Sequence, residues 1–322
     1  MSARRRFLAA AMLAALPRVG LAQKKPGRIG LLWLASEEDA HLRRALFDGL
    51  REHGYAEGRN IVVDDARAAS YEKLVEAAKG LVERDASVIL TWGYMSVRAA
   101  RAASSRIPIV MNAGIDPVKT GLAASLSRPG GNVTGVTTLN VELQSKQLQL
   151  VRETLPRAQR VSAILDPTSG TQTGYFDLIE AQVRKLSLAF DRTDVRGAAD
   201  LEPAIRRAAA VQSDALYVIP STLLQRYARR IGELALKYRL PSFAYSSEYA
   251  EGGVMLVYGV NRAAVFRRVA AYVDRILKGS PPGEIPIEQA SEFELIVNSR
   301  TAKALGVTIP PAVLVRATRT LE

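Results

Sequence analysis

The stretch IPIVMNAGIDPVKTGLAASLSRPGGNVTGVTT, residues 107–138, decides the fold that the sequence predicts. Its first residues, 107–111, form a short continuous apolar run, which is typical of a parallel-sheet strand covered on both faces. Residues 112–116 follow as the loop at the carboxyl end of that strand, where open α/β sheets bind their ligands. Residues 120–126 have the composition of a short helix. Residues 132–138 are flanked by glycine and predict an extended segment that crosses between two lobes.

Strands and helices alternate on both sides of this stretch. Buried runs predict strands at residues 28–34, 61–65, 87–91, 107–111, 160–165, 189–195, 214–219 and 241–245. Amphipathic segments between them predict helices, among them 97–103 after a loop at 92–96, 223–238, and 313–321 near the end of the chain. Such alternation is the mark of a parallel sheet with right-handed crossovers.

The predicted fold class is therefore α/β, with two similar lobes joined by a multi-strand hinge. Each lobe is a parallel sheet flanked by helices. Residues 252–260 predict a second crossing, and residues 293–298 a last strand or a third crossing. The predicted boundaries assign 27–136 plus 260–285 to the N-terminal lobe and 137–259 plus 286–322 to the C-terminal lobe. Several crossings between two lobes allow hinge closure around a ligand.

Length and composition narrow the class of protein. A chain of 322 residues is long enough for two domains, and an apolar fraction of 48% is typical of a globular protein. The net charge is +12, but the basic residues are scattered along predicted helices and aromatic residues make up only 6%. Without a basic patch or a recognition motif, the sequence predicts no nucleic-acid partner.

The chain contains no cysteine. This excludes disulfides, thiolate metal sites and cysteine-based catalysis, and we expect no lipid anchor on a mature N-terminus.

Residues 1–22 are predicted to be a signal peptide. Three arginines at 4–6 precede an apolar stretch at 7–16 that is too short to span a bilayer, and small residues at 20–22 suit cleavage. The start also resembles a twin-arginine export signal. Removing the segment takes four arginines with it, which leaves a net charge of +8 on the mature chain.

Three motifs in order carry a resemblance to a known family. They are IPIV...DPV..GL.ASL.RPGGNVTGV in the stretch quoted above, GYAEGRNI at 54–61, and FELIVN..TAKALGVTIPP at 293–311. Together they resemble one subgroup of the type I periplasmic substrate-binding proteins of ABC importers, which includes tryptophan- and tyrosine-binding members. The resemblance implies a periplasmic monomer that binds a small molecule, has permease subunits in the inner membrane as partners, and needs no cofactor.

The candidate ligand-binding residues lie at the carboxyl ends of the predicted strands, because two facing lobes bring those ends together. They are Trp33, Ser36, Trp92, Tyr94, Ser96, Asn112, Asp116, Asp166, Thr168, Ser169, Ser221, Thr222, Tyr245 and Glu248. Both tryptophans of the chain fall in this set. Each is placed to stack on a flat ligand or to pack in the core, and the coincidence of two favours the ligand.

Two loops have chemistry that suits a carboxylate. Residues 94–96 lead into a helix N-terminus, where free N–H groups and the dipole favour an anion. Relatives often have Thr-Pro-Ala there, so the change to Tyr-Met-Ser alters the expected ligand. Residues 166–173, DPTSGTQT, offer similar groups or an ordinary capping turn. Asp116 and Glu248 are each able to take the ammonium of an amino acid, although Asp116 is equally suited to cap a helix.

Little in the sequence predicts catalysis. His41 and His53 lie on or after a surface helix with no third ligand, so no metal site is expected. The motifs HExxH, GxSxG, GKS/T and GxGxxG are absent. The sequence therefore predicts a solute receptor for aromatic amino acids or related carboxylic acids. The alternatives are a periplasmic sensing subunit for a membrane receptor and, third, a hydrolase or isomerase that uses Asp116, Asp166 or Glu248.

Overall fold

The buried apolar runs of the sequence form the strands of two separate sheets. A computed structural model describes residues 26–34, 40–68, 70–138, 141–168 and 175–322. The strands of the first sheet are β1 (Gly27–Leu34), β2 (Ile61–Ala68), β3 (Val88–Trp92), β4 (Ile109–Ala113), β5 (Val133–Thr137) and β11 (Glu288–Gln289). The strands of the second are β6 (Arg160–Leu165), β7 (Ala189–Asp194), β8 (Ala215–Val218), β9 (Ser242–Ala244), β10 (Leu256–Val260), β12 (Phe293–Asn298) and β13 (Arg319–Leu321).

The order of the strands is that of crossover-connected parallel sheets. Within the described ranges it is β11-β5-β4-β3-β1-β2 in the first sheet and β13-β12-β10-β9-β8-β6-β7 in the second. Neighbouring strands are parallel except β10 and β12, which pair antiparallel. The predicted α/β fold class, with two parallel sheets and helices on their faces, is confirmed.

Helices cover both sheets. Those of the first lobe are α1 (Ala40–Glu52), α2 (Tyr71–Glu83), α3 (Gly93–Ala103) and α10 (Arg262–Leu277). Those of the second are α4 (Val141–Thr154), α5 (Tyr175–Lys185), α6 (Ala198–Ala210), α7 (Thr222–Gln225), α8 (Ala228–Lys237), α9 (Ser247–Glu251), α11 (Ser299–Leu305) and α12 (Pro311–Leu314). A 3₁₀ turn, Pro282–Glu284, precedes β11.

The strand quoted first is the centre of the first lobe. Ile109, Val110 and Met111 of β4 are fully buried because helices pack on both faces of the sheet. Burying each such side chain stabilises the fold by about 1.5–3 kcal/mol. One face packs on α1 and α10, and the other on α2 and α3. The carboxyl end of β4 therefore extends from a strand that is covered on both faces.

The chain passes between the lobes in several places, as a hinge requires. It leaves the first lobe between β5 and α4, returns between β10 and α10, and crosses again between β11 and β12. The lobe boundaries themselves stay a prediction. The pairing of β11 with β5 places residues 288–289 in the first sheet, beyond the predicted limit at 285.

Four local predictions are wrong. Residues 120–126 form turns instead of a helix, and α3 begins at Gly93 where a loop was expected to continue to residue 96. The helix predicted over 223–238 is divided into α7 and α8. Residues 313–321 do not form one helix. Their first two residues end α12, and their last three form β13, which pairs with β12 at the edge of the sheet. Contacts with neighbouring elements also decide where a helix begins, ends or divides, so periodicity alone does not fix these segments.

No helix in the described ranges is long and apolar enough to cross a membrane. The predicted signal peptide at 1–22 lies outside those ranges.

Candidate functional site

A cavity of about 300 Å³ lies where the carboxyl edges of the two sheets face each other. Residues at the ends of β3, β4 and β5 form its first wall, and residues after β6, β8 and β9 form the second. Binding cavities of this kind occur in open α/β sheets, because helices and loops diverge beyond the strand ends. Both lobes contribute side chains, so their relative position sets the cavity's shape.

Eight predicted residues line this cavity. They are Trp92, Tyr94, Asn112, Asp166, Thr168, Ser221, Thr222 and Tyr245. Four others, Trp33, Ser96, Asp116 and Glu248, are not among its lining residues. Ser36 and Ser169 lie outside the described residues.

The local partners of Trp33 and Asp116 explain why they are elsewhere. The indole Nε1 of Trp33 donates a hydrogen bond to Asp65 at 2.8 Å, and its ring faces the guanidinium of Arg67. The Asp116 carboxylate accepts the backbone N–H groups of Val118 and Lys119 at 3.0 and 3.1 Å. Asp116 thus caps a turn, which was the alternative to binding an ammonium.

Ser96 is fully buried inside α3, directly after Met95, which lines the cavity. Its hydroxyl has no hydrogen-bond partner within the described part of the chain.

Glu248 acts on the cavity through another residue. It lies in α9 of the second lobe, and its carboxylate forms a buried ion pair with Arg262, the first residue of α10 in the first lobe. His41 Nε2 of α1 lies 3.4 Å from the same oxygen, and Gln225 donates to the other oxygen at 3.2 Å. Glu248 therefore bridges the two lobes.

The charge state of Glu248 follows from these partners. Burial by itself raises the pKa of a carboxyl group, but the positive charge of Arg262 and the hydrogen bonds from His41 and Arg262 outweigh it. Together they hold the pKa of Glu248 well below its usual range. Glu248 is therefore ionised at neutral pH.

Arg262 lines the cavity and was missed by the sequence analysis. Its guanidinium carbon lies 4.2 Å from the centre of the Trp92 ring, and the same ring packs on Phe266 at 4.8 Å. The Trp92 ring therefore contacts Arg262 and Phe266, and neither contact leaves a ring face open for a ligand at that point. One signal in the sequence pointed to Arg262: it is a charged residue directly after a predicted crossing strand, next to a capping asparagine.

The start of α3 forms the wall beside Trp92. Trp92 is the residue before the helix and makes no side-chain capping bond, so the first N–H groups of α3 lack that partner. Gly93, Tyr94 and Met95 of this turn line the cavity. Gly93 has φ +76° and lies so close to Thr222 of the second lobe that a Cβ would come within 2.8 Å of its hydroxyl.

Two buried amides line the cavity without full partners. Asn112 at the end of β4 is only 4% exposed, yet neither its Oδ1 nor its Nδ2 has a hydrogen-bond partner among the described residues. The Oε1 of Gln144, at the start of α4, is in the same state. An unsatisfied buried polar group costs about 1–3 kcal/mol, so these amides suit a ligand that supplies polar groups.

The second-lobe wall includes uncharged hydroxyl groups and one buried carboxylate, Asp166. Tyr245 donates its hydroxyl hydrogen to the carbonyl of Ser221 at 2.9 Å, and burial raises the pKa of Tyr245 to about 12. Ser221 caps α7 by accepting the N–H of Leu224. Asp166 is 4% exposed and accepts two hydrogen bonds from Thr168, at 2.9 and 2.6 Å. It is therefore a buried carboxylate placed to meet a ligand cation.

No group of three or more metal-ligating side chains occurs in the described part of the chain. The cavity has walls of mixed polarity, with a buried arginine on the first lobe and a buried carboxylate on the second. Such walls bind a small molecule through charge-assisted hydrogen bonds and apolar contact.

Comparisons with known proteins agree with this geometry. Residues 36–321 match the family model described as ABC transporter substrate binding protein. A tyrosine-binding protein of Clostridioides difficile (strain R20291) is 26% identical over 287 residues, which cover 88% of this chain and 82% of the relative.

Solved structures share the fold. A conserved domain protein from Vibrio cholerae has a TM-score of 0.86 at 27% identity, and an ABC domain in complex with L-Trp from Streptococcus pneumonia has 0.85 at 20%. Each alignment covers 92% of this chain and 100% of the other. Because the family model spans most of the sequence, this chain belongs to the family of ABC transporter substrate binding proteins.

Proposed function

We propose that this protein is the exported receptor of an ABC importer, and that it binds a small carboxylate-bearing ligand with an aromatic or apolar body between its lobes. The observation that carries the proposal is the cavity of about 300 Å³, built from strand ends of both lobes with an arginine and an uncapped helix start in its wall. A ligand held by both lobes stabilises the closed arrangement.

The ligand class follows from the walls. Leu143, Val260 and Tyr71 supply apolar surface, Arg262 and α3 suit a carboxylate, and Asp166 suits an ammonium. An aromatic amino acid has all three parts. The relative from C. difficile is named for tyrosine, and a structural neighbour was solved with L-Trp, which supports this class.

The remaining parts of the proposal concern the cell. The N-terminal segment 1–22 directs export to the periplasm, where the protein acts as a monomer and delivers its ligand unchanged to permease subunits in the inner membrane. The pattern of basic, apolar and small residues in this segment supports export.

A thermal-shift panel tests the binding function. The mature protein is heated with L-tyrosine, L-tryptophan, L-phenylalanine, 3-(4-hydroxyphenyl)propionate and indole-3-propionate, with ribose as the control. A ligand at about 100 times its Kd adds roughly 2.7 kcal/mol to the free energy of unfolding and raises Tm by several degrees. The amount of each bound compound that is recovered unchanged is measured by chromatography and compared with the amount added. A panel in which only ribose shifts Tm, or none does, contradicts the proposed ligand class, and consumption of a binder contradicts the receptor.

A further inference from the structure

Arg262 is a buried cation in the wall of the cavity. Its side chain is 6% exposed, and it is the first residue of α10, directly after the chain returns from the second lobe. A buried arginine is costly unless charged partners compensate for its lost hydration. Glu248 is one such partner, and Arg262 also lines the cavity.

The position of the guanidinium is fixed from two sides. Glu248 holds it through a buried ion pair, and Gln225 and Ser246 hold Glu248 in turn: Gln225 donates to the carboxylate at 3.2 Å and accepts from Ser246 at 2.9 Å. The indole ring of Trp92 lies against it at 4.2 Å. A cation held in this way loses little freedom when an anion binds, which favours tight recognition.

The start of α3 lies at the same place in the cavity. Trp92, whose ring touches Arg262, is the residue from which α3 begins, and it provides no capping side chain. The helix start adds N–H donors and a partial positive charge to the guanidinium. We infer that Arg262 and the first turn of α3 form one subsite that holds the ligand's carboxylate, an inference that rests on the proposed function. Arg262 is the specificity-determining residue of this subsite.

Two other arginines line the cavity and are poorer candidates. Arg196 is exposed and pairs with Asp194 at 3.1 Å, and Arg226 is exposed to solvent. Water screens an exposed cation, whereas a buried one interacts with an anion at low effective dielectric. Arg262 therefore contributes more to the recognition of a carboxylate.

Acid and amide pairs test the inference. The probes are L-tyrosine with L-tyrosinamide, and 3-(4-hydroxyphenyl)propionate with its amide, and Kd is measured by isothermal titration calorimetry. The wild type is expected to prefer each acid by about 10- to 100-fold. In Arg262→Met the preference falls to within about threefold, because the charge-assisted bond is gone.

A double variant guards against a folding defect. Arg262→Met combined with Glu248→Gln removes both buried charges, so the remaining partner is not left uncompensated. Circular dichroism checks its fold before titration. The matched control is Arg67→Met, because Arg67 faces Trp33 in a similar way outside the cavity. It is expected to keep the preference of the wild type.

The outcomes separate the inference from the proposed function. If the acids bind but the folded Arg262 variants keep the wild-type preference, or if Arg226→Met removes it instead, the inference is overturned and the receptor stands. If none of the four probes binds the wild type, the proposed ligand class fails and the inference fails with it. If the preference disappears only in the Arg262 variants, the inference is supported.

Discussion

The molecule contains two arrangements of tryptophan, arginine and carboxylate that look alike and behave differently. In the outer triad, Arg67 lies 4.8 Å from the ring of Trp33 and pairs with Asp65 at 3.2 Å. In the inner triad, defined as Trp92, Arg262 and Glu248, the arginine lies 4.2 Å from the ring and pairs with the glutamate. Both tryptophans pack on the same phenylalanine, at 6.2 and 4.8 Å.

The difference lies in what each triad connects. Trp33 and Arg67 are register partners on neighbouring strands of one sheet, and the ion pair beside them is partly exposed, with 36% and 27% of its side chains accessible. The inner triad joins the lobes, and its charged side chains are only 6% and 3% exposed. The same residue types thus serve local packing in one place and lobe coupling in the other.

The largest expected contrast is in stability. Glu248→Gln leaves Arg262 buried without its counter-charge and lowers the free energy of unfolding by about 3–5 kcal/mol. Asp65→Asn removes an exposed ion pair but keeps an acceptor for the Trp33 indole, so it costs about 1 kcal/mol or less. Urea unfolding followed by circular dichroism measures both. Equal losses would show that the two triads are energetically alike.

The dependence on pH sharpens the same contrast. The folded-state pKa of Glu248 lies below its unfolded value near 4.5, so ionised Glu248 contributes stability that is fully present above pH 4.5 and is lost as pH falls toward the folded pKa. The stability gap between wild type and Glu248→Gln is therefore expected to narrow as pH falls below 4.5. Urea titrations above and below this pH measure the gap. A gap that grows as pH falls below 4.5 contradicts the assigned direction of the shift.

The tryptophans are expected to differ in ligand binding. Trp92→Phe weakens the support of Arg262 by about 1 kcal/mol and raises the Kd for L-tyrosine about fivefold. Trp33→Phe leaves the Kd within about twofold but loses a hydrogen bond worth roughly 1 kcal/mol of stability. Calorimetric titration and urea unfolding measure the two effects. A larger change in Kd for Trp33→Phe than for Trp92→Phe breaks the comparison.

The smallest expected effect is a change in Kd at Gly93, which lies close to Thr222 of the other lobe. Gly93 and Gly121 both have positive φ, +76° and +69°, so alanine strains either backbone by about 1–2 kcal/mol. A Cβ at Gly93 also meets Thr222 across the cavity, whereas one at Gly121 meets nothing within 4 Å. Gly93→Ala is expected to raise the Kd for L-tyrosine about threefold. Gly121→Ala is the control, and an equal rise there removes the role of the contact between lobes.

Much of the fold follows from the sequence, because a buried parallel strand has a simple signature. The runs that became β1, β3, β4 and β6 are continuous and apolar, and few other structures satisfy them. The end of the chain is different. Residues 319–321, RTL, carry too little apolar surface to choose between helix and strand, and they form β13 because β12 offers an unpaired edge.

The cavity-lining residues at strand ends could be predicted from the sequence. Those whose position depends on contacts with residues far away in the sequence could not. The rule that ligands meet the carboxyl ends of strands found Trp92, Asn112 and Asp166. The same rule selected Trp33, whose direction is decided by Asp65 on the neighbouring strand. Arg262 and Glu248 meet only because the chain changes lobes between them, and no local pattern encodes that meeting.

The late position of α10 in the chain has a consequence during translation. This helix packs on α1 and closes the core around both tryptophans, yet it is made after almost the whole second lobe. A nascent chain that ends before residue 262 leaves the apolar face of α1 open, and exposed surface of this kind invites aggregation. The core of the first lobe is therefore completed only after residues 262–277 have been synthesised.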